Sequence, residues 1–123
     1  MRYDNGQKSP DKVKALILKS LDADKAVDIE TLDLRSQNAF ADYIVVASGT
    51  SSRHIAALAE KLSDRLGAIG MKDVRIEGLK NSDWVVLDAG DIVVHLFKPE
   101  VRAFYSIEKM WQTTHPSIEL LNA

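Results

Sequence analysis

The stretch that decides the fold runs from Asn81 to Phe97, N-S-D-W-V-V-L-D-A-G-D-I-V-V-H-L-F. Two runs rich in β-branched residues flank Ala89-Gly90, the pattern of a β-hairpin. Pairing the runs about that dipeptide sorts their side chains onto two unlike faces. Val85, Leu87, Ile92, Val94 and Leu96 make one face, which is wholly apolar. Trp84, Val86, Asp88, Asp91, Val93 and His95 make the other. A sheet needs only one apolar face to bury. An indole, an imidazole and two carboxylates exceed that need, so the second face is the leading candidate for a working surface. Ala-Gly suits a type II turn or a bulged loop better than the mirror-image hairpin turns, and a bulge would separate Asp88 from Asp91.

The flanking sequence supplies the rest of the sheet and its covering helices. Asp73 to Glu77 reads as a short strand with Val74 and Ile76 inward. Before it, Gly49-Thr50-Ser51-Ser52 turns the chain into a helix whose buried stripe is Ile55, Leu58, Ala59, Leu62 and Leu66. Gly67 is placed at the C′ position, with Gly70 in the loop beyond. Asp42 to Ser48 is apolar after its first residue, as in a central strand covered on both faces. Val27 and Ile29 alternate with polar neighbours in a half-exposed strand from Ala26 to Leu34. Leu32 and Leu34 fall out of phase with them, which predicts a bulge or bend.

Arg35 to Ala41 reads as a polar loop. Ser9-Pro10-Asp11 starts a first helix, with Val13, Leu16, Ile17 and Leu21 at helical spacing and an end near Asp22 to Lys25. Pro99 opens a last helix carrying Val101, Phe104, Tyr105, Glu108 and Trp111 along one side. Residues 1–8 are read as a disordered leader and 113–123, with Pro116, as a tail. The order α-β-β-α-β-β-β-α predicts one α/β domain over residues 9–112, with a mixed sheet of about five strands and flanking helices.

Composition narrows the function classes. A chain of 123 residues can build a core without staples. It has no cysteine, which removes disulfides, thiol nucleophiles and cysteine-based zinc sites. The longest apolar run is too short to span a bilayer, and Met1 to Lys8 shows no apolar signal region, so a cytoplasmic location is expected. Net charge is -2, and the basic residues are scattered. That balance speaks against direct binding of nucleic acid through its phosphates and favours a protein partner if the work is done near nucleic acid.

Three further features invite chemistry. Ser48 to His54, S-G-T-S-S-R-H, joins a predicted strand to a predicted helix, where free N–H groups can hold an anion. It lacks the glycine spacing and lysine of a P-loop, and a turn with a helix cap explains Gly49 and the hydroxyls without a ligand. Arg53 and His54 stand out there, because positive charge in a first turn opposes the helix dipole. Asp88 and Asp91 on one face can hold a divalent cation. A nucleotidyltransferase-type site takes acids at i, i+2 on one strand with Gly-Ser on a nearby loop. Here the acids are i, i+3 across a turn and the near match, Ser48-Gly49, is reversed. The other reading has both aspartates solvating the hairpin end and bonding backbone N–H groups. His54, His95 and His115 show no ligand spacing. Trp84 is either a core residue under a helix or a binding anchor. Trp111 is read as core or dimer contact, and Arg102, Tyr105 and Glu108 as a local network.

Three segments in this order carry a resemblance: A-D-Y-I-V-V-A-S-G-T-S-S-R-H (Ala41 to His54), D-W-V-V-L-D-A-G-D-I-V-V-H-L-F (Asp83 to Phe97) and R-A-F-Y-S-I-E-K-M-W (Arg102 to Trp111). Together they resemble the ribosomal silencing factor, or Iojap, family over about Ser9 to Gln112. The resemblance implies a nucleotidyltransferase-like sheet without the catalytic signature. It implies a translational repressor that binds the L-fourteen protein of the large ribosomal subunit and blocks joining of the small subunit, with no catalysis and no cofactor or metal. It implies a homodimer in the free state. On this sequence the partner surface falls on Trp84, Asp88, Gly90, Asp91, Lys98 and Arg102, with Arg53, His54 and His95 as secondary contacts. The alternatives are a metal-dependent nucleotidyltransferase-like or nucleotide-binding enzyme, which needs its carboxylates to converge beside Ser48 to Ser52 in a cleft, and a small dimeric assembly adaptor.

Overall fold

A computed structural model describes residues 9–36 and 41–105, the last three by backbone alone. The elements are α1 (Pro10–Ala23), β1 (Val27–Asp33), β2 (Tyr43–Ser48), α2 (Ser52–Ala68), β3 (Arg75–Glu77), β4 (Trp84–Asp88), β5 (Ile92–Phe97) and α3 (Pro99–Tyr105). The predicted order is therefore observed. The five strands form one mixed sheet in the order β1-β2-β5-β4-β3. β2 and β5 run parallel at its centre, and the other pairs are antiparallel. Glu108, Trp111 and His115 lie outside the described residues, as do the leader and tail.

Period-two alternation decides what each face of the sheet does. Tyr43, Val45 and Ala47 of β2 share a face with Val85, Leu87, Ile92, Val94 and Leu96. Val13, Ile17 and Leu21 of α1 and Ile55, Leu58, Ala59, Leu62 and Leu66 of α2 bury that face. The α2 stripe is the one its spacing predicts. Each fully buried aliphatic side chain contributes about 1.5–3 kcal/mol, and here they come from both helices and three strands. Leu32, Leu34, Ile44 and Val46 form a separate cluster on the opposite face.

The caps show how sequence sets the helix ends. Ser9 accepts from the Lys12 N–H to cap α1, and Ser51 accepts from the His54 N–H to cap α2. α2 runs past Gly67, the expected C′ residue. The chain instead leaves the helix at Gly70, whose φ is +96°. Gly70 N–H donates to the Gly67 carbonyl and Met71 N–H to the Leu66 carbonyl, a Schellman closure. α1 ends the same way on a non-glycine residue, Lys25, with φ +68°.

Two irregularities shape the sheet where it carries polar side chains. β1 shifts register between Val27 and Glu30, with Asp28 at φ +52°, which is the bulge that the out-of-phase leucines predict. The hairpin tip lies one residue later than expected. Ala89 N–H donates to the Ile92 carbonyl, leaving Gly90 and Asp91 at the tip, with Gly90 at φ +84°. Each cross-strand partner therefore moves by two positions, so that Phe97 rather than His95 stands opposite Trp84. A two-residue shift leaves every side chain on its predicted face.

Candidate functional site

Trp84 begins β4 and is half-buried. Its indole N–H donates to His95 Nδ1 at 3.0 Å. Its ring meets Phe97 edge-on, with centroids 4.8 Å apart and planes at 79°. His95 and Phe97 meet edge-on at 5.9 Å. Trp84 is thus neither a fully buried core residue nor a free-standing one: it is a partly open aromatic braced from two sides. Motif spacing does not single out Phe97, although alternation along β5 puts it on the same face as His95.

His95 is 8% exposed. Burial pushes its pKa down to about 4, because charging an imidazole away from water is costly. Its Nδ1 accepts from Trp84, so the neutral ring carries its proton on Nε2.

At the hairpin end, Asp88 is exposed and its Oδ1 accepts from the Gly90 N–H at 2.9 Å. Asp88 stands opposite Val93, not opposite Asp91. The Asp91 carbonyl accepts from the N–H groups of Asp42 and Tyr43, tying the tip to the start of β2. The Ser48 to Ser52 segment lies at the other end of β2, so the strand's length separates the acids from that loop. Asp88 and Asp91 therefore do not converge beside that loop in the way the enzyme reading requires. Among the described residues no group of three or more His, Cys, Asp or Glu side chains could hold a metal ion. Lys98 sits at the opposite end of the hairpin, with its ammonium 3.1 Å from Asp83.

Arg102 departs from the expected surface role. It is 8% exposed. Its Nη1 donates to the Asp28 carbonyl at 2.7 Å and to Ser48 Oγ at 3.0 Å, and its Nη2 lies 3.4 Å from Glu30. Trp84, Phe97 and Ser48 are consecutive partners in one row across β4, β5 and β2. The Arg102 guanidinium extends that row to the β1 bulge. The left-handed turn at Asp28 gives the guanidinium its carbonyl acceptor.

Arg53 is exposed on the first turn of α2. His54 is engaged inside the fold. Its Nδ1 accepts from the Thr50 N–H at 2.9 Å, and its Nε2 lies 2.9 Å from the Asp24 carbonyl. His54 stands at the third helical position, where a capping box has an acid, but its imidazole accepts from the N–H of Thr50, the residue before the Ser51 cap. At His54 the conflict with the helix dipole is resolved by this use of Nδ1 as an acceptor, whereas Arg53 keeps its charge in the first turn. Asp24 also receives Arg65 at 2.7 Å, so the α1 end is fastened to α2 by both residues.

The family model described as "Ribosomal silencing factor during starvation" matches residues 7–122. The chain belongs to the ribosomal silencing factor family. It is 51% identical over 102 residues to ribosomal silencing factor RsfS of Zymomonas mobilis, covering 83% of this chain and 77% of that one. It is 34% identical over 99 residues to the mouse protein named mitochondrial assembly of ribosomal large subunit protein 1, covering 78% of this chain and 43% of that one. The crystal structure of a Chromobacterium violaceum protein superposes with a TM-score of 0.81 at 34% identity, covering 88% of this chain and 90% of that one. Membership of this family implies a ribosome-associated partner. No helix among the described residues is long and apolar enough to cross a membrane.

Proposed function

We propose that this ribosomal silencing factor docks on the large ribosomal subunit through its L-fourteen protein, at the face that meets the small subunit, and represses translation by blocking subunit joining. The observation that carries the reading is the braced, half-buried Trp84 on a hairpin whose far end carries the exposed Asp88 and the half-buried Asp91. A rigid aromatic with open ring surface is the side-chain type that anchors protein interfaces. Asp88 and Asp91, with Gly90 between them at the tip, are suited to meet basic groups of a ribosomal protein and give steering and specificity. Lys98 adds a charged rim beyond Trp84. Arg102 serves this surface from the same face, by holding the far end of the row to which Trp84 belongs.

The mechanism is steric: a small domain seated at the joining face occludes intersubunit contacts, with no bond made or broken and no cofactor. The protein works in the cytoplasm and is a homodimer when free. The test is to mix purified small and large subunits with the protein and resolve the products on a sucrose gradient. The joined-ribosome peak falls in proportion to added protein if the reading is right. An unchanged peak at saturating protein overturns it.

A further inference from the structure

We infer that His95 is a positioning residue for docking: it fixes the Trp84 indole in its binding orientation and consumes its N–H, so that the partner meets only apolar ring surface. The inference rests on the docking reading and adds to it the device that prepares the anchor and the chemistry of the pocket that receives it.

Three observations lead there. Trp84 opens its strand, where a large ring with two side-chain torsions has room to move unless something holds it. Phe97 stands directly across from it, and His95 is its diagonal neighbour, within reach of an aromatic side chain. The indole is held by both, through the 3.0 Å hydrogen bond and the 4.8 Å edge contact. Ordering a side chain before association removes a cost that binding otherwise bears.

The second observation is the burial of His95. At 8% exposure it offers a partner almost no surface, so a contact role does not explain it. Packing alone would be met by an aliphatic side chain, as it is at Val93, the neighbouring buried position on the same face of β5. A buried polar ring is costly unless bonded. What distinguishes imidazole from leucine here is the Nδ1 lone pair, and Trp84 is what it holds.

The third is the donor count. Indole has one N–H and no acceptor. With that N–H satisfied inside the fold, a partner needs no acceptor opposite Trp84. The geometry assigns an aliphatic or otherwise apolar recess on the ribosomal protein as the surface that receives it.

The experiment uses the full chain carrying Trp111→Phe, which leaves Trp84 as the single indole of the two in the sequence. Indole N–H exchange is followed by ¹⁵N NMR, and affinity by co-sedimentation with purified large subunits. With His95 intact the indole N–H is slow to exchange. His95→Leu makes it fast and weakens subunit binding roughly five- to tenfold while unfolding stays cooperative. His95→Gln, whose carbonyl can accept the same N–H, keeps slow exchange and binds within about threefold of the parent. If folded His95→Leu binds like the parent while Trp84→Ala does not, the positioning inference fails and docking stands. If Trp84→Ala also binds like the parent, the reading of Trp84 as the docking anchor fails with it. Should His95→Leu not fold, fast indole exchange in the parent overturns the inference, and slow exchange retained in His95→Gln together with its affinity supports it.

Discussion

Trp84 and His95 are joined by a hydrogen bond that exists only while His95 is neutral. The indole N–H donates to Nδ1 at 3.0 Å, and a protonated imidazole has no lone pair there to accept it. Burial already holds His95 neutral, with its pKa down to about 4. An unfolded histidine titrates near 6.5. Between those values the unfolded chain binds a proton that the folded chain does not. His95 therefore costs stability as pH falls from about 6.5 towards 4, and the full loss is about 3 kcal/mol. Urea unfolding near pH 7 and near pH 5 measures it, with about 2 kcal/mol expected from this group over that interval. His95→Gln should remove that part of the slope. Equal pH dependence in the two proteins would contradict the assignment.

Arg102 predicts a second effect. Truncating it leaves the Asp28 carbonyl and the Ser48 hydroxyl without the donor they now share. Arg102→Leu should cost about 1–3 kcal/mol in denaturant unfolding. Arg102→Lys should recover less than half of that, since a single ammonium cannot reproduce a guanidinium that also reaches Glu30. Full recovery by lysine would show that charge alone matters at this position.

Much of the fold was legible because period decides faces. The hairpin sorted correctly although its tip was misplaced, since the true register differs by two residues and preserves side-chain alternation. The α2 stripe was legible for the same reason at helical spacing. What sequence could not show were contacts between distant segments. Nothing local says that His54 reaches the Asp24 carbonyl, thirty residues earlier, so from sequence it reads as a misplaced charge. Nothing local says that Arg102 reaches a bulge in β1, so it read as surface. Sequence alone leaves Trp84 between core and anchor, because its exposure depends on neighbours across the hairpin.

The glycines give a pair of opposed predictions. At Gly78, φ is +93° and an added Cβ would run into the Trp84 carbonyl oxygen. Gly78→Ala should destabilise by about 2 kcal/mol or more, from a left-handed backbone and a backbone clash together. An added Cβ at Gly67 meets nothing within 4 Å, and the residue lies inside α2. Gly67→Ala should stabilise by about 0.5–1 kcal/mol. Thermal unfolding of the two variants checks both signs.

Lys25 supplies a third backbone test. It holds the left-handed C′ position of α1 at φ +68°, where a side chain is disfavoured. Lys25→Gly should raise stability by up to about 1 kcal/mol. Unchanged or lower stability would mean that the lysine side chain contributes something the cap geometry does not reveal.

Anchoring of this protein to the large ribosomal subunit through Trp84 is tested most directly by co-sedimentation. The wild-type protein and Trp84→Ala are each spun with purified large subunits, with unfolding curves confirming that the variant is folded. The wild-type protein should pellet with the subunits at micromolar concentration, and a folded Trp84→Ala should lose about 2 kcal/mol or more of binding, roughly thirtyfold in affinity. Wild-type protein that stays in the supernatant, or a folded Trp84→Ala that pellets as well as wild type, would contradict the anchor.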